Sequence, residues 1–214
     1  MAPWRRTVRG MARFATITDF STMQVRIAVA ILATLVFLLW RSSWFWAGMV
    51  AAIVAMLIDG AARILAQERG EAKAPGDQRL SLVMRWLVAP LWWLAWIEGL
   101  SLTDRAFEPV YGLLVFAAIV FGHITSLVIE RIFAARFGFA LDAWRPFDSR
   151  FRRLAAGRDN DLALLLLSLP FARPDRGIEL VALWTLCTLV VQATRLAQAN
   201  DRRSHVRPVA SWLA

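Results

Sequence analysis

The sequence predicts an all-α, polytopic membrane protein: six transmembrane helices in one domain, with an N-terminal amphipathic helix lying at the interface. Three observations predict it. Of the 214 residues, 58% are hydrophobic, against about half in an average soluble domain, and the excess falls in blocks the length of bilayer spans. Tryptophans cluster where several blocks end, as they do at membrane–water boundaries. The 24 arginines and one lysine fall unevenly on alternate connections between blocks.

The elements follow in chain order. Residues 1–20 carry Arg5, Arg6, Arg9 and Arg13, while Val8, Met11, Phe14 and Ile17 recur every third residue on one helical side. That pattern suits a helix in the headgroup layer, the alternative being a disordered basic tail. The region lacks the apolar core of a secretory signal, so targeting is expected to fall to the first span. The membrane domain is expected over 21–199, and a basic cytoplasmic tail over 200–214. Its first span runs from about Thr22 to Trp40, with Arg26 one turn inside and long enough to snorkel outward. Arg41-Ser42-Ser43 makes a tight turn among Trp40, Trp44 and Trp46. The second span, Trp44 to Ile58, offers Ala47, Gly48, Ala51, Ala52 and Ala55 for close helix contact. A charged loop is expected from Asp59 onward.

The third span is expected over about Leu80 to Leu100, bent at Pro90, with Trp92, Trp93 and Trp96 as a second aromatic cluster. The fourth covers Pro109 to Ile129 and continues helically toward Phe137. A basic loop over 138–161 holds Arg145, Arg150, Arg152, Arg153 and Arg158. The fifth apolar run, Leu162 to Ala172, is too short to span alone. It either crosses by starting near Gly157 or is re-entrant. The sixth runs from Gly177 to about Ala197. With six crossings, 19 basic residues lie on one side and Arg41, Arg105, Arg173 and Arg176 on the other, with Arg26 and Arg85 inside spans. This asymmetry puts both termini in the cytoplasm and favours a fifth run that crosses.

The charge also bounds the partners. A net charge of +9 permits nucleic acid, but the arginines flank apolar blocks, so anionic lipid headgroups are the expected partner and no nucleic acid is expected. The single cysteine, Cys187, cannot form an internal disulfide and reads as a packing residue. No phosphate-binding glycine loop, dinucleotide fingerprint, Cys/His metal cluster or serine nucleophile elbow is present. The tryptophan clusters read as membrane anchors.

The stretch with chemistry in it is Met56 to Ser81. Asp59-Gly60 ends one apolar block, and Asp77 precedes the next. Carboxylates at a membrane edge are either simply solvated or, if drawn together, able to hold a hard cation such as Mg²⁺ beside a phosphate substrate. Nearby arginines suit phosphate by their bidentate fork. In the fourth span His123, with Thr125 and Ser126 beside it, shares a face with Glu130. Ionisable groups at membrane depth are candidates for function, or else His123 bonds a neighbouring helix and Glu130 pairs with Arg131.

Six spans, an interfacial N-terminal helix and Asp59-Gly60 at the end of the second span resemble the CDP-alcohol phosphatidyltransferase family. Its signature is D-x-x-D-G-x-x-A-R-(x)8-G-x-x-x-D-x-x-x-D. Asp59, Gly60 and Asp77 match the second aspartate, its glycine and the third aspartate. Met56, Lys73 and Ser81 stand at the first aspartate, the second-half glycine and the fourth aspartate, while Ala62-Arg63 comes one residue early. The basic stretch through Gly157-Arg158-Asp159 into the last two spans is similar to the family's C-terminal part. The resemblance implies transfer of a substituted phosphate from a CDP-linked donor to an alcohol acceptor in phospholipid synthesis. It implies one Mg²⁺ or Mn²⁺ on Asp59 and Asp77, with Asp77 catalytic. It also implies donor phosphate on Gly60, Arg63, Arg152, Arg153 and Arg158, a bacterial-type inner (plasma) membrane and a homodimer. The missing carboxylates at Met56 and Ser81 leave a second expectation open, a catalytically silent relative that binds lipid or a partner subunit. A small transporter is a third.

Overall fold

A computed structural model describes residues 21–69, 87–204 and 211–212. The expected interfacial helix over 1–20, residues 70–86 with Asp77, Ser81 and the start of the expected third span, and most of the C-terminal tail lie outside these residues. The described chain is helical and contains no strand: α1 (Thr22–Arg41), α2 (Phe45–Glu68), α3 (Ala89–Leu100), α4 (Pro109–Phe137), α5 (Pro146–Phe151), α6 (Arg158–Ser168) and α7 (Pro174–Ser204). Four of them, α1, α2, α4 and α7, are long and apolar enough to cross a membrane. By that criterion the chain is a multi-pass membrane protein. It divides into two compact units, residues 1–106 and 107–214.

In the first unit, Ser21 caps α1: its hydroxyl accepts from the Gln24 amide, and the Gln24 side chain accepts from the Ser21 amide. This reciprocal pair satisfies two donors that a helix start leaves open. The helix stops in two turn bonds, Trp44 N–H to the Leu39 carbonyl and Ser43 N–H to that of Trp40. Ser43 takes the left-handed conformation, φ 59°, that this type of helix stop demands. The reversal sets α2 antiparallel to α1. Helix α3 then runs parallel to α1: the Trp92 indole donates to the Ala33 carbonyl, and Gly99 sits against the Trp40 carbonyl, so both pairs share one register.

Two expectations change here. Helix α2 does not end at Ile58 but continues to Glu68, because Ala61, Ala62, Leu65 and Ala66 carry its buried face onward. Asp59 and Gly60 are therefore mid-helix and not the start of a charged loop. Pro90 stands in the first turn of α3, directly after two π-helical residues, Leu87 and Val88; the part of the expected third span that precedes them, 80–86, lies outside the described residues. The tryptophans are largely core. Trp40 and Trp96 are fully buried and Trp92 and Trp93 nearly so, while of the tryptophans in these two clusters Trp44 and Trp46 are exposed. Trp40 packs edge-on against Trp92 and Trp96, with centroids 5.5 and 5.0 Å apart, a favoured geometry for such pairs. Its indole N–H donates to the Phe45 carbonyl at 3.2 Å, so burial leaves no donor open.

In the second unit, α4 and α7 are parallel. Tyr111 bonds Glu179, Glu130 bonds Gln192 and Arg136 bonds Asn200, so contacts advance together along both helices. Between them the chain must return. Ala156 bonds Thr188 and Ser168 meets Gly177, so α6 runs antiparallel to α7. Eleven residues of α6 rise about 16 Å, and a 3-10 turn over Leu169–Phe171 completes the return. The expected loop over 138–161 holds α5 and the first turn of α6. Phe133 anchors the far end of the unit, packed with Leu141, Trp144 and Ala199.

Candidate functional site

The expected site residues fall into both units. In the first, Asp59 is buried, and its two carboxylate oxygens face two guanidiniums. Arg63, one turn on, donates from Nη2 to Oδ2 at 3.1 Å. Arg26 of α1 places Nη1 3.7 Å from Oδ1. Arg26 does not snorkel: its side chain is 5% exposed, whereas that of Arg63 is 56% exposed. Both helices bring their partner to one level. Arg26 stands 15 residues before the end of α1 and Asp59 14 residues after the start of α2, each about 21–23 Å from the turn that joins them. A buried guanidinium among apolar helices needs a carboxylate nearby, and Asp59 supplies it. Gly60 is half-buried within α2.

An Mg²⁺ or Mn²⁺ site requires several oxygen ligands. Among the described residues no group of three or more His, Cys, Asp or Glu side chains gathers anywhere. Asp59 already faces two cations, and among the described residues no second carboxylate joins it. These residues do not fit a divalent metal by themselves, and the expected second ligand, Asp77, lies outside the described residues.

The second unit holds a seam of polar side chains. His123 Nε2 of α4 lies 3.0 Å from Oδ2 of Asp161, which is 1% exposed; the other oxygen of Asp161 accepts from the Gly157 amide. So His123 bonds a neighbouring helix, and its partner was hidden inside the Gly-Arg-Asp-Asn-Asp string, where Asp161 is one of two aspartates and only the fold singles it out. Glu130 pairs with Arg152 and accepts from Gln192, rather than pairing with Arg131. Asp148, 5% exposed, receives Arg195 at 2.9 Å. Burial raises the Asp148 pKa, against the opposing pull of Arg195 and Arg145.

Of the expected phosphate ligands here, Arg152 is committed to Glu130, Arg153 is exposed, and Arg158 is half-buried 3.8 Å from Asp159. The arginines that come together are Arg145, of the same basic loop, and Arg195, with Arg202 acting on Arg145 electrostatically. Sequence reading passed over Arg195 and Arg202 because both lie on the helix counted as the last span and its tail. Cys187 is exposed on α7 and not packed.

Fold and site together define an all-α, multi-pass membrane protein with arginine–carboxylate pairs at or near the ends of its long helices. No protein-family model, curated protein or solved structure matches the chain.

Proposed function

We propose that the chain is a six-pass, CDP-alcohol phosphatidyltransferase-like membrane protein that binds phospholipid or a partner subunit and does not itself transfer phosphate. The six passes are α1, α2, α3, α4, α6 and α7. The parallel–antiparallel–parallel order within each unit supports this count, since a chain joining two parallel helices must return between them. The short α6 fits as a crossing helped by the 3-10 turn and by the residues leading into it. The basic ends of both units lie on the cytoplasmic side of a bacterial-type inner membrane by the charge rule.

One observation carries the non-catalytic reading: Asp59, the residue on which the family motif pivots, faces Arg26 and Arg63. Met56 and Ser81, in place of two motif carboxylates, agree with it. The second reading, transfer from a CDP-linked donor to an alcohol, draws on the spacing of Asp59-Gly60 and Asp77. The deciding experiment supplies purified protein in nanodiscs with CDP-diacylglycerol, a panel of small alcohols and Mg²⁺ or Mn²⁺, and follows CMP. No release above a protein-free control is the expected result. Turnover that disappears in both Asp59→Ala and Asp77→Ala would overturn it and establish the enzyme.

A further inference from the structure

Arg145, Arg195 and Asp148 come together where α5 packs beside α7, and Arg202, further along α7, acts on Arg145 electrostatically. Arg195 spends its pairing on Asp148. Arg145 makes no ion pair among the described residues; its guanidinium stacks 4.3 Å from the Trp144 ring centre. Its pKa is held down by burial, then by Arg202 and Arg195. Arg202 likewise makes no ion pair among the described residues. Three cations against one anion leave the cluster short of negative charge. One oxygen of Asp148 is buried and lacks a hydrogen-bond donor. Among the described residues the cluster thus lacks an anion.

Its level on α7 says what kind of anion. Arg195 follows Pro174 by 21 residues, about 32 Å of helix, close to the thickness of the hydrocarbon layer. Arg173, Asp175 and Arg176 mark the opposite boundary. The cluster therefore lies at the headgroup level. Apolar surface leads from it toward the bilayer centre. Phe147, half exposed, lies under the Arg195 guanidinium. Leu154, 63% exposed, lies beside Trp184, 11 residues back along α7. Free phosphate has no use for such a track, whereas an acyl chain does.

We infer that Arg145, Arg195 and Arg202 bind the phosphate of an anionic membrane lipid whose chain lies along Phe147 and Leu154. A stacked guanidinium keeps its N–H edge for bidentate phosphate bonds. The site lies within the second unit and does not depend on Asp59 or on whether the chain transfers phosphate.

The test titrates full-length protein in neutral detergent with fluorescent phosphatidylglycerol and, separately, phosphatidylcholine. The anionic lipid is expected to bind at least about ten-fold more tightly, weakening with salt. Arg145→Gln and Arg202→Gln are each expected to lower its affinity about five-fold, the effect of one basic residue near a lipid surface. Arg202 is exposed at the end of a helix, so its variant tests charge without disturbing packing. Asp148→Asn, which removes the opposing charge, is expected to raise affinity, a direction that general damage would not produce. Equal binding of the two lipids, an unchanged Arg145→Gln/Arg202→Gln double variant, or displacement of the lipid by an equal concentration of inorganic phosphate would each overturn the assignment.

Discussion

At the residue scale, Asp59 shows how one side chain changes meaning with its surroundings. In the sequence it is the last residue before a polar stretch, with a motif glycine after it, and reads as a cation ligand. In the fold it is a counter-ion. The signal for that role was present in Arg26, a charge inside an apolar block, but the sequence does not say which acid such a charge will meet. Breaking a buried pair from one side costs about 3–5 kcal/mol, while replacing both partners by apolar groups is often neutral. Asp59→Leu is therefore expected to destabilise strongly, because Arg26 is the more deeply buried partner. Arg26→Met should cost less, since Arg63 still holds Asp59. The double variant Arg26→Met/Asp59→Leu should recover most of the loss. Unfolding midpoints in detergent measure all three, and additive losses in the double variant would remove the pair from the stability of the first unit.

At the scale of elements, the helices were legible because each long one is an apolar block of about bilayer length, and the start of α4 at Pro109 follows from proline's preference for a first turn. Ends set by packing were less so. Alanine and arginine beyond Asp59 read as loop because they follow a charged residue, yet alanine is the best helix former and its small side chain lets α2 stay buried. The tryptophans misled for a related reason: indole suits both a membrane boundary and a close-packed core, and composition does not choose. What chooses is the glycines opposite. A Cβ on Gly48 would fall 2.3 Å from Trp40 Cδ1, and one on Gly99 1.9 Å from the Trp40 carbonyl oxygen. Overpacking of this kind costs about 1–3 kcal/mol. Gly99→Ala is expected to cost more than Gly48→Ala, because an indole can tilt but a helix carbonyl moves only with its helix. Thermal unfolding of the two variants orders them; equal midpoints would mean α3 approaches α1 less closely than described.

At the scale of the whole molecule, what matters is how many times the chain crosses. Hydropathy alone finds four long spans, and an even count of four or six returns the C-terminus to the same side. The two counts differ at particular turns. In the second unit, parallel α4 and α7 need a crossing between them, so residue 173 must face the side opposite residue 150. In the first unit, parallel α1 and α3 need α2 as their return, so residue 103 must share a side with residue 43 and oppose residue 69. The charge rule assigns sides independently: Arg63 and Arg69 mark one end of the first unit, and Arg150, Arg152 and Arg153 one end of the second. Single cysteines at positions 43, 69, 103, 150 and 173, in a Cys187→Ala background, test both units by labelling with a membrane-impermeant maleimide. In intact cells 43, 103 and 173 are expected to label, while 69 and 150 should label only after the membrane is opened. If 150 and 173 label together in intact cells, α6 is re-entrant, the second unit has no return crossing, and the six-pass reading fails there while the first unit stands.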